Sequence, residues 1–310
     1  MKVCKFGGSS CANVDAIKNI EKVALDKDRK VLVFSAIGKS GEEDEKVTDM
    51  LFACYQKYLK SGVLDFDKIK EKFNCLKKNL GVQIDLDSEF SQIEHALKKH
   101  NSCDYLVSRG EYLTAKMFAL KLKIPYVPSE NLLIFENEKV NFAFTKKNIK
   151  NAIKKCGRIV TGGFYGSDEK GDIKLLSRGG GDLSGAIFAK VLGVDTYEIF
   201  TDVDGVYPLN PKFGKTVQMK YLSYKDLIYM TNYDAKVVHN QCGKVLQKTD
   251  IMLVVRNCFD LAKKGTIVSK IPTSGSYIVF NEKRKKFILT NSNKRRTLTK
   301  KEEQNLIKCL

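Results

Sequence analysis

Apolar and polar positions alternate over residues 2 to 6, which predicts a short strand, and Gly7-Gly8-Ser9-Ser10 closes it with a turn. An amphipathic helix follows, with Ile17, Ile20, Val23 and Ala24 on one face. Val31-Leu32-Val33-Phe34-Ser35-Ala36 is a continuous run of β-formers, the pattern of a central strand covered on both faces. A polar loop bearing Gly and Glu spans residues 37 to 46. Helical periodicity then runs from Val47 to about Lys123, with breaks near Ser61-Gly62, Gly81 and Asn101, and Ile124-Pro125-Tyr126-Val127-Pro128 returns to extended chain. The second half reads as strand (158–161), Gly-rich turn (162–171), strand (172–176), glycine turn (179–181), helix (182–192) and strand (196–201), with helices after 223 and 235. Past Gly265 come a strand, a basic hairpin around Tyr277 to Phe280 and Phe287 to Leu289, and a last helix opened by a Thr299–Glu302 capping box. Such alternation predicts an α/β fold: a three-layer sandwich with a mainly parallel central sheet and helices on both faces.

Composition changes this picture little. Hydrophobic residues make up 43% and charged residues 29% of 310, which excludes a disordered or low-complexity chain. The N-terminus breaks into glycine before a signal-peptide core forms, and no run approaches the length of a spanning helix, so a soluble, cytoplasmic protein is the expectation. The nine cysteines are scattered singly without C-x-x-C spacing, and His239 with Cys242 lacks a second ligand pair, so reduced thiols and no zinc are expected.

The net charge of +18 raises nucleic acid or an anionic membrane as partners. Its distribution argues against both. Residues 281 to 310 hold ten Lys/Arg against three Glu, and the remaining excess is spread along helices without an aromatic-lined basic stripe. Forty-six of the 54 basic residues are Lys, which does not suit bidentate recognition.

Three glycine-rich turns follow strands: Gly7-Gly8-Ser9-Ser10, Thr161-Gly162-Gly163-Phe164-Tyr165-Gly166 and Arg178-Gly179-Gly180-Gly181-Asp182. Such turns let backbone N–H groups approach phosphate oxygens, and a helix N-terminus adds partial positive charge. Neither the P-loop pattern nor G-x-G-x-x-G is present; Gly38-Lys39-Ser40 has Val33 where the first P-loop glycine belongs.

Together with Lys5-Phe6-Gly7-Gly8-Ser9-Ser10, Ser108-Arg109-Gly110-Glu111, Gly163-Phe164-Tyr165-Gly166, Ser177 to Asp182, Thr201-Asp202-Val203-Asp204-Gly205-Val206-Tyr207 and Ala235-Lys236-Val237-Val238-His239, the chain resembles aspartate kinases of the amino-acid-kinase fold, in order from residue 2 to about 269. The resemblance implies ATP-dependent phosphorylation of the L-aspartate side-chain carboxylate to 4-phospho-L-aspartate, the first step toward lysine, threonine, methionine and diaminopimelate. Lys5 matches the lysine that bridges the phosphates and the attacking carboxylate, and Asp182 the residue that orients Lys5 or the metal-bound phosphates, although a plain N-cap also accounts for an Asp there. Gly7, Gly8 and Ser9 would line the phosphates. Ser35, Thr48, Glu111, Arg178, Gly179, Gly180 and Gly181 match the aspartate side, with Arg178 on the α-carboxylate and Glu111 on the α-ammonium. Thr201, Asp202, Tyr207, Lys212, Lys236 and Val237 match the ATP side, and Mg²⁺ would travel with ATP rather than occupy a permanent site.

By the same resemblance, residues 1–270 form the catalytic domain, 1–160 mainly binding the amino acid and 161–270 mainly ATP, and 271–310 form a short basic extension rather than a full ACT domain. Two ACT units do not fit in forty residues, so little feedback inhibition is expected unless a separate regulatory chain supplies it; a homodimer is the other candidate assembly. Gly181 stands where the family usually has Ser, which predicts weaker aspartate binding. Glutamate, N-acetylglutamate, carbamate or UMP as acceptor, and a non-catalytic regulatory relative, are the competing readings.

Overall fold

The computed structural model describes residues 1–41, 43–177, 179–208, 216–231, 238–273, 277–281, 286–290, 295–302 and 304. In chain order it contains β1 (Lys2–Phe6), α1 (Gly8–Ala12), α2 (Val14–Ala24), β2 (Arg29–Phe34), α3 (Val47–Ser61), α4 (Asp67–Leu80), α5 (Leu86–His100) and α6 (Cys103–Leu122). Next come β3 (Phe135–Glu136), β4 (Lys139–Val140), α7 (Phe142–Cys156), β5 (Ile159–Gly162), β6 (Tyr165–Ser167), β7 (Ile173–Leu175), α8 (Gly180–Leu192) and β8 (Thr196–Thr201). The chain continues through β9 (Tyr221–Ser223), α9 (Tyr224–Thr231), α10 (Asn240–Leu246), β10 (Met252–Asn257), β11 (Thr266–Ser269), β12 (Tyr277–Asn281), β13 (Lys286–Thr290) and β14 (Arg295–Thr297).

Seven strands form the central sheet in the order β5-β2-β1-β8-β10-β11-β9, parallel throughout except for β10 against β11. Side chains alternate across it. Cys4, Phe6, Leu32, Phe34 and Phe200 pack with α2 to α6, whereas Val3, Val31, Val33, Tyr197, Ile199, Leu253 and Val255 pack with α7 to α10. The predicted three-layer α/β sandwich is therefore the observed one.

Local chemistry explains the helical layer. The breaks read from sequence are left-handed C-caps at Gly62, Gly81 and Asn101, the conformation these residues adopt at least cost. Side-chain N-caps at Asn13, Asp85 and Ser102 start α2, α5 and α6. Helix α6 is buried from Leu106 to Ala119 on nearly every side, so Glu111 is carried into the interior. The expected capping box forms: the Glu302 carboxylate accepts the Thr299 main-chain N–H at 2.8 Å, and the Thr299 hydroxyl accepts the Glu302 N–H at 3.4 Å. Among the described residues, no helix is long and apolar enough to cross a membrane.

Several expectations need correction. Gly8 to Ser10 are helical rather than a turn, as are Gly180 and Gly181; glycine is tolerated in a first turn, where packing rather than propensity decides. Within the expected turn at 162–171, residues 165–167 pair with β7 as a hairpin. Helix α7 was not anticipated, because lysines crowd its narrow apolar stripe; its signal is the Asn141 side chain, which accepts the N–H groups of Ala143 and Phe144. Strand β10 was also missed, although its Leu253-Val254-Val255 run is a β signal.

Candidate active site

Four parallel strands end in register: Phe6 lies opposite Phe34 and Phe200, and Phe34 opposite Gly162. The rings of Phe34, Phe6 and Phe200 stack at 4.9 and 5.2 Å on the α2 face. The residues just past the strands, Gly7, Ser35 and Gly163, with Thr201 closing β8, therefore line one edge. It is the carboxyl edge, where parallel sheets bind ligands.

Alternation turns Lys5 away from the Phe6 face and toward α8. Its Nζ lies 2.6 Å from Asp182 Oδ1, with the two side chains only 12% and 11% exposed. The other oxygen, Oδ2, accepts the His239 main-chain N–H at 3.2 Å, so one carboxylate joins β1 to the start of α10. Asp182 is not the N-cap: Gly179 holds that position at φ +80°, a left-handed conformation suited to glycine. A Cβ on Gly179 would fall 2.5 Å from His239 Cδ2. His239 thus packs against the helix start, and its Nδ1 has no hydrogen-bond partner among the described residues.

Glu111 approaches from α6 on the sheet's other side, buried at 5% exposure. Its Oε2 has no hydrogen-bond partner among the described residues. Burial pushes its carboxyl up to about 8, against the downward pull of main-chain N–H groups and of the Lys5 and Arg109 charges. Arg109 stays out of the site, enclosed by the rings of Tyr105, Tyr112 and Tyr165 at 4.5, 4.8 and 5.3 Å. A Cβ on Gly181 would sit 3.0 Å from Ser35 Oγ and 3.3 Å from Lys5 Cε, so Ser35, Lys5, Gly181 and Asp182 are mutual neighbours. Gly180 lies beside them in the first turn of α8.

Thr48 occupies the first turn of α3, anchored by the Val47 N–H to Ile37 carbonyl bond at 3.1 Å. Gly7 is the N-cap of α1, and its N–H donates to the Phe200 carbonyl at 2.9 Å. Gly8 and Ser9 follow in the helix, where the Gly8 carbonyl accepts the Gly38 N–H at 2.9 Å. On the far side, the Thr201 hydroxyl donates to Asp202 at 3.2 Å, and Asp204 accepts the Asn257 amide at 2.7 Å. Burial raises the Tyr207 phenol. Arg178, Lys212, Lys236 and Val237 lie outside the described residues.

The model of the group described as the amino acid kinase family matches residues 1–257. The chain belongs to the amino acid kinase family. It is 32% identical over 303 residues to Aspartokinase 3 of Bacillus subtilis (strain 168), covering 90% of this chain and 66% of that protein. The crystal structure of aspartate kinase from Clostridium acetobutylicum superposes with a TM-score of 0.83 at 28% identity, over 90% of this chain and 66% of its own. E. coli aspartokinase III in complex with aspartate and ADP superposes with a TM-score of 0.74 at 22% identity, over 91% and 66%, a likeness of fold. The chain thus spans just under two thirds of the length of each. For this amino acid kinase, sequence reasoning passed over His239 as a site neighbour. The signal was available, since His239 ends the motif that begins at Ala235, but a histidine carries no mark of the carboxylate its backbone will hold.

Proposed function

We propose that this chain transfers the γ-phosphoryl group of ATP to the side-chain carboxylate of L-aspartate, giving 4-phospho-L-aspartate and ADP. The observation that carries the reading is the Lys5–Asp182 pair at the carboxyl edge of the sheet, with the buried Glu111 carboxyl, whose Oε2 has no hydrogen-bond partner among the described residues, facing the same place. The aspartate kinases among its relatives support the choice of acceptor.

In this reading an aspartate oxygen attacks the γ-phosphorus, a new O–P bond forms, and the bond to the β,γ-bridging oxygen breaks to release ADP. The nucleophile is ionised at neutral pH and needs no general base, which agrees with an edge centred on a lysine rather than a histidine. Lys5 neutralises charge gathering on the transferring group, and Asp182 holds that ammonium in place. Glu111, once ionised, receives the substrate ammonium. Ser35, Thr48, Gly179, Gly180, Gly181 and Arg178 complete the aspartate side. Gly7, Gly8 and Ser9 line the phosphates, and Thr201, Asp202, Tyr207, Lys212, Lys236 and Val237 take the nucleotide. ATP enters as MgATP. Residues 1–160 then serve mainly the amino acid and 161–270 mainly the nucleotide, in a cytoplasmic enzyme.

Hydroxylamine trapping of acyl phosphate tests this, with MgATP and aspartate run beside glutamate and N-acetylglutamate, ADP release with UMP, and a Lys5→Ala control. Hydroxamate from aspartate alone, lost in the variant, is the expected result. Turnover with another acceptor, or none from folded protein, overturns it.

A further inference from the structure

The segment from Ser35 to Thr48 joins two residues assigned to aspartate above, so its path decides whether both address one molecule. Ala36, Ile37 and Val47 are buried at its two ends, but Lys39, Ser40, Gly41, Glu43, Glu45 and Lys46 are exposed, so apolar burial does not fix the course between them. The anchor comes from α4. Lys72 Nζ reaches Asp44 Oδ1 at 2.8 Å and the Gly38 carbonyl at 3.3 Å, and it also bonds the Glu45 carbonyl. Three acceptors use all three donors of an ammonium group. Asp44 Oδ2 in turn accepts the Ser40 N–H at 2.9 Å and its hydroxyl at 2.8 Å. The Lys72 and Asp44 side chains are only 15% and 28% exposed, and hydrogen bonding to Lys72 holds the Asp44 carboxyl well below the usual carboxylate range.

Helix α4 does not need this lysine for its own docking, since Ile69, Phe73, Leu76 and Leu80 already bury its apolar face. What Lys72 secures is the loop. One of its acceptors is on Gly38, whose N–H donates to the Gly8 carbonyl at 2.9 Å, and Glu45 lies just ahead of α3, which carries Thr48. The clamp therefore ties the start of α1, assigned to the phosphates, and the start of α3, assigned to aspartate, to one point on α4.

We propose that Lys72 is a positioning residue of the active site, which acts through the Gly38–Asp44–Glu45 clamp to hold Ser35 and Thr48 around aspartate beside the start of α1. The inference rests on the aspartate kinase reading for its kinetic consequence and on geometry alone for the clamp. Two measurements keep these apart. In the full chain, Lys72→Met is expected to raise KM for aspartate about 5- to 10-fold with kcat within about twofold, because it disturbs ground-state alignment without touching the transferring group. Asp44→Asn should move KM in the same direction by less, and Lys72→Arg should restore part of it. An unchanged aspartate KM in Lys72→Met, or a fall in kcat that merely tracks a lower Tm, overturns the proposal. Amide hydrogen exchange at Gly38 reads the clamp without catalysis: faster exchange in Lys72→Met than in the parent is expected, and equal protection overturns the clamp. A parent protein that forms no acyl phosphate defeats the aspartate reading, and the exchange result then decides the clamp.

Discussion

At the scale of single residues, the proposed reaction rests on Lys5 and Asp182. Lys5→Met is expected to lower kcat about 10²- to 10³-fold, the usual cost of removing a charge aimed at a transition state, with a smaller change in KM for aspartate; steady-state kinetics with hydroxamate detection checks this. Glu111 adds a pH dependence whose sign is fixed by its shift. Its carboxyl ionises near 4.5 in the unfolded chain and near 8 in the folded one, so between those values the native state holds a proton that the unfolded state has released. Stability from the neutral form is complete below the lower value and is lost as pH rises to the upper one, by an amount on the order of 4 kcal/mol. Urea unfolding between about pH 5 and pH 8 should therefore show a steeper decline in the parent than in Glu111→Gln. An ionised carboxylate is also the form that binds an ammonium group, so KM for aspartate should fall from about pH 7 to pH 9 in the parent and not in the Gln variant.

At the scale of elements, α1 and the β2–α3 loop meet through backbone. A Cβ on Gly8 would lie 2.7 Å from the Ala36 carbonyl oxygen and 3.0 Å from Gly38, and neither can rotate away. Gly8→Ala is expected to force α1 from the β2–α3 loop, with a loss of about 1–3 kcal/mol by thermal unfolding and a matching loss of turnover. Gly41→Ala is the control, since nothing lies within 4 Å of its Cβ position. The contrast shows why element boundaries were legible and contacts were not. Gly62, Gly81 and Asn101 announced the ends of α3, α4 and α5 because a left-handed cap is a property of the residue itself. Nothing in Gly8 or Gly38 announces the other, because their need for glycine arises only where two elements cross.

Across the whole molecule, the sheet is tied on the face opposite Lys5 by a buried charge network. Glu198 on β8 accepts Arg29 Nε at 2.6 Å and Nη2 at 3.0 Å from the start of β2, and Arg256 Nη1 at 3.5 Å from β10. Arg29 is 7% and Glu198 4% exposed, so removing one partner leaves a charge unpaired in the interior. Glu198→Gln should lower stability by about 3 kcal/mol in urea unfolding, while kcat stays close to that of the parent because Lys5 and Asp182 are on the other face. A joint fall of stability and kcat would place the network in the catalytic geometry instead.

From residue order alone came most of the strand and helix sequence, α7 and β10 excepted, the three-layer sandwich and the glycine-rich strand exits, because periodicity, capping and glycine conformation act over a few residues; the resemblance to aspartate kinases singled out Lys5, Glu111 and Asp182. Asp182 was expected to orient Lys5 by resemblance, but only the tertiary structure decided that the two meet at 2.6 Å, that His239 closes on Gly179, that burial raises Glu111 and that Lys72 holds a loop from another helix. Those facts depend on which strands pair across long stretches of chain and on how much water the packed neighbours exclude. A side chain's ionisation and partners are set by that enclosure and not by its neighbours in sequence.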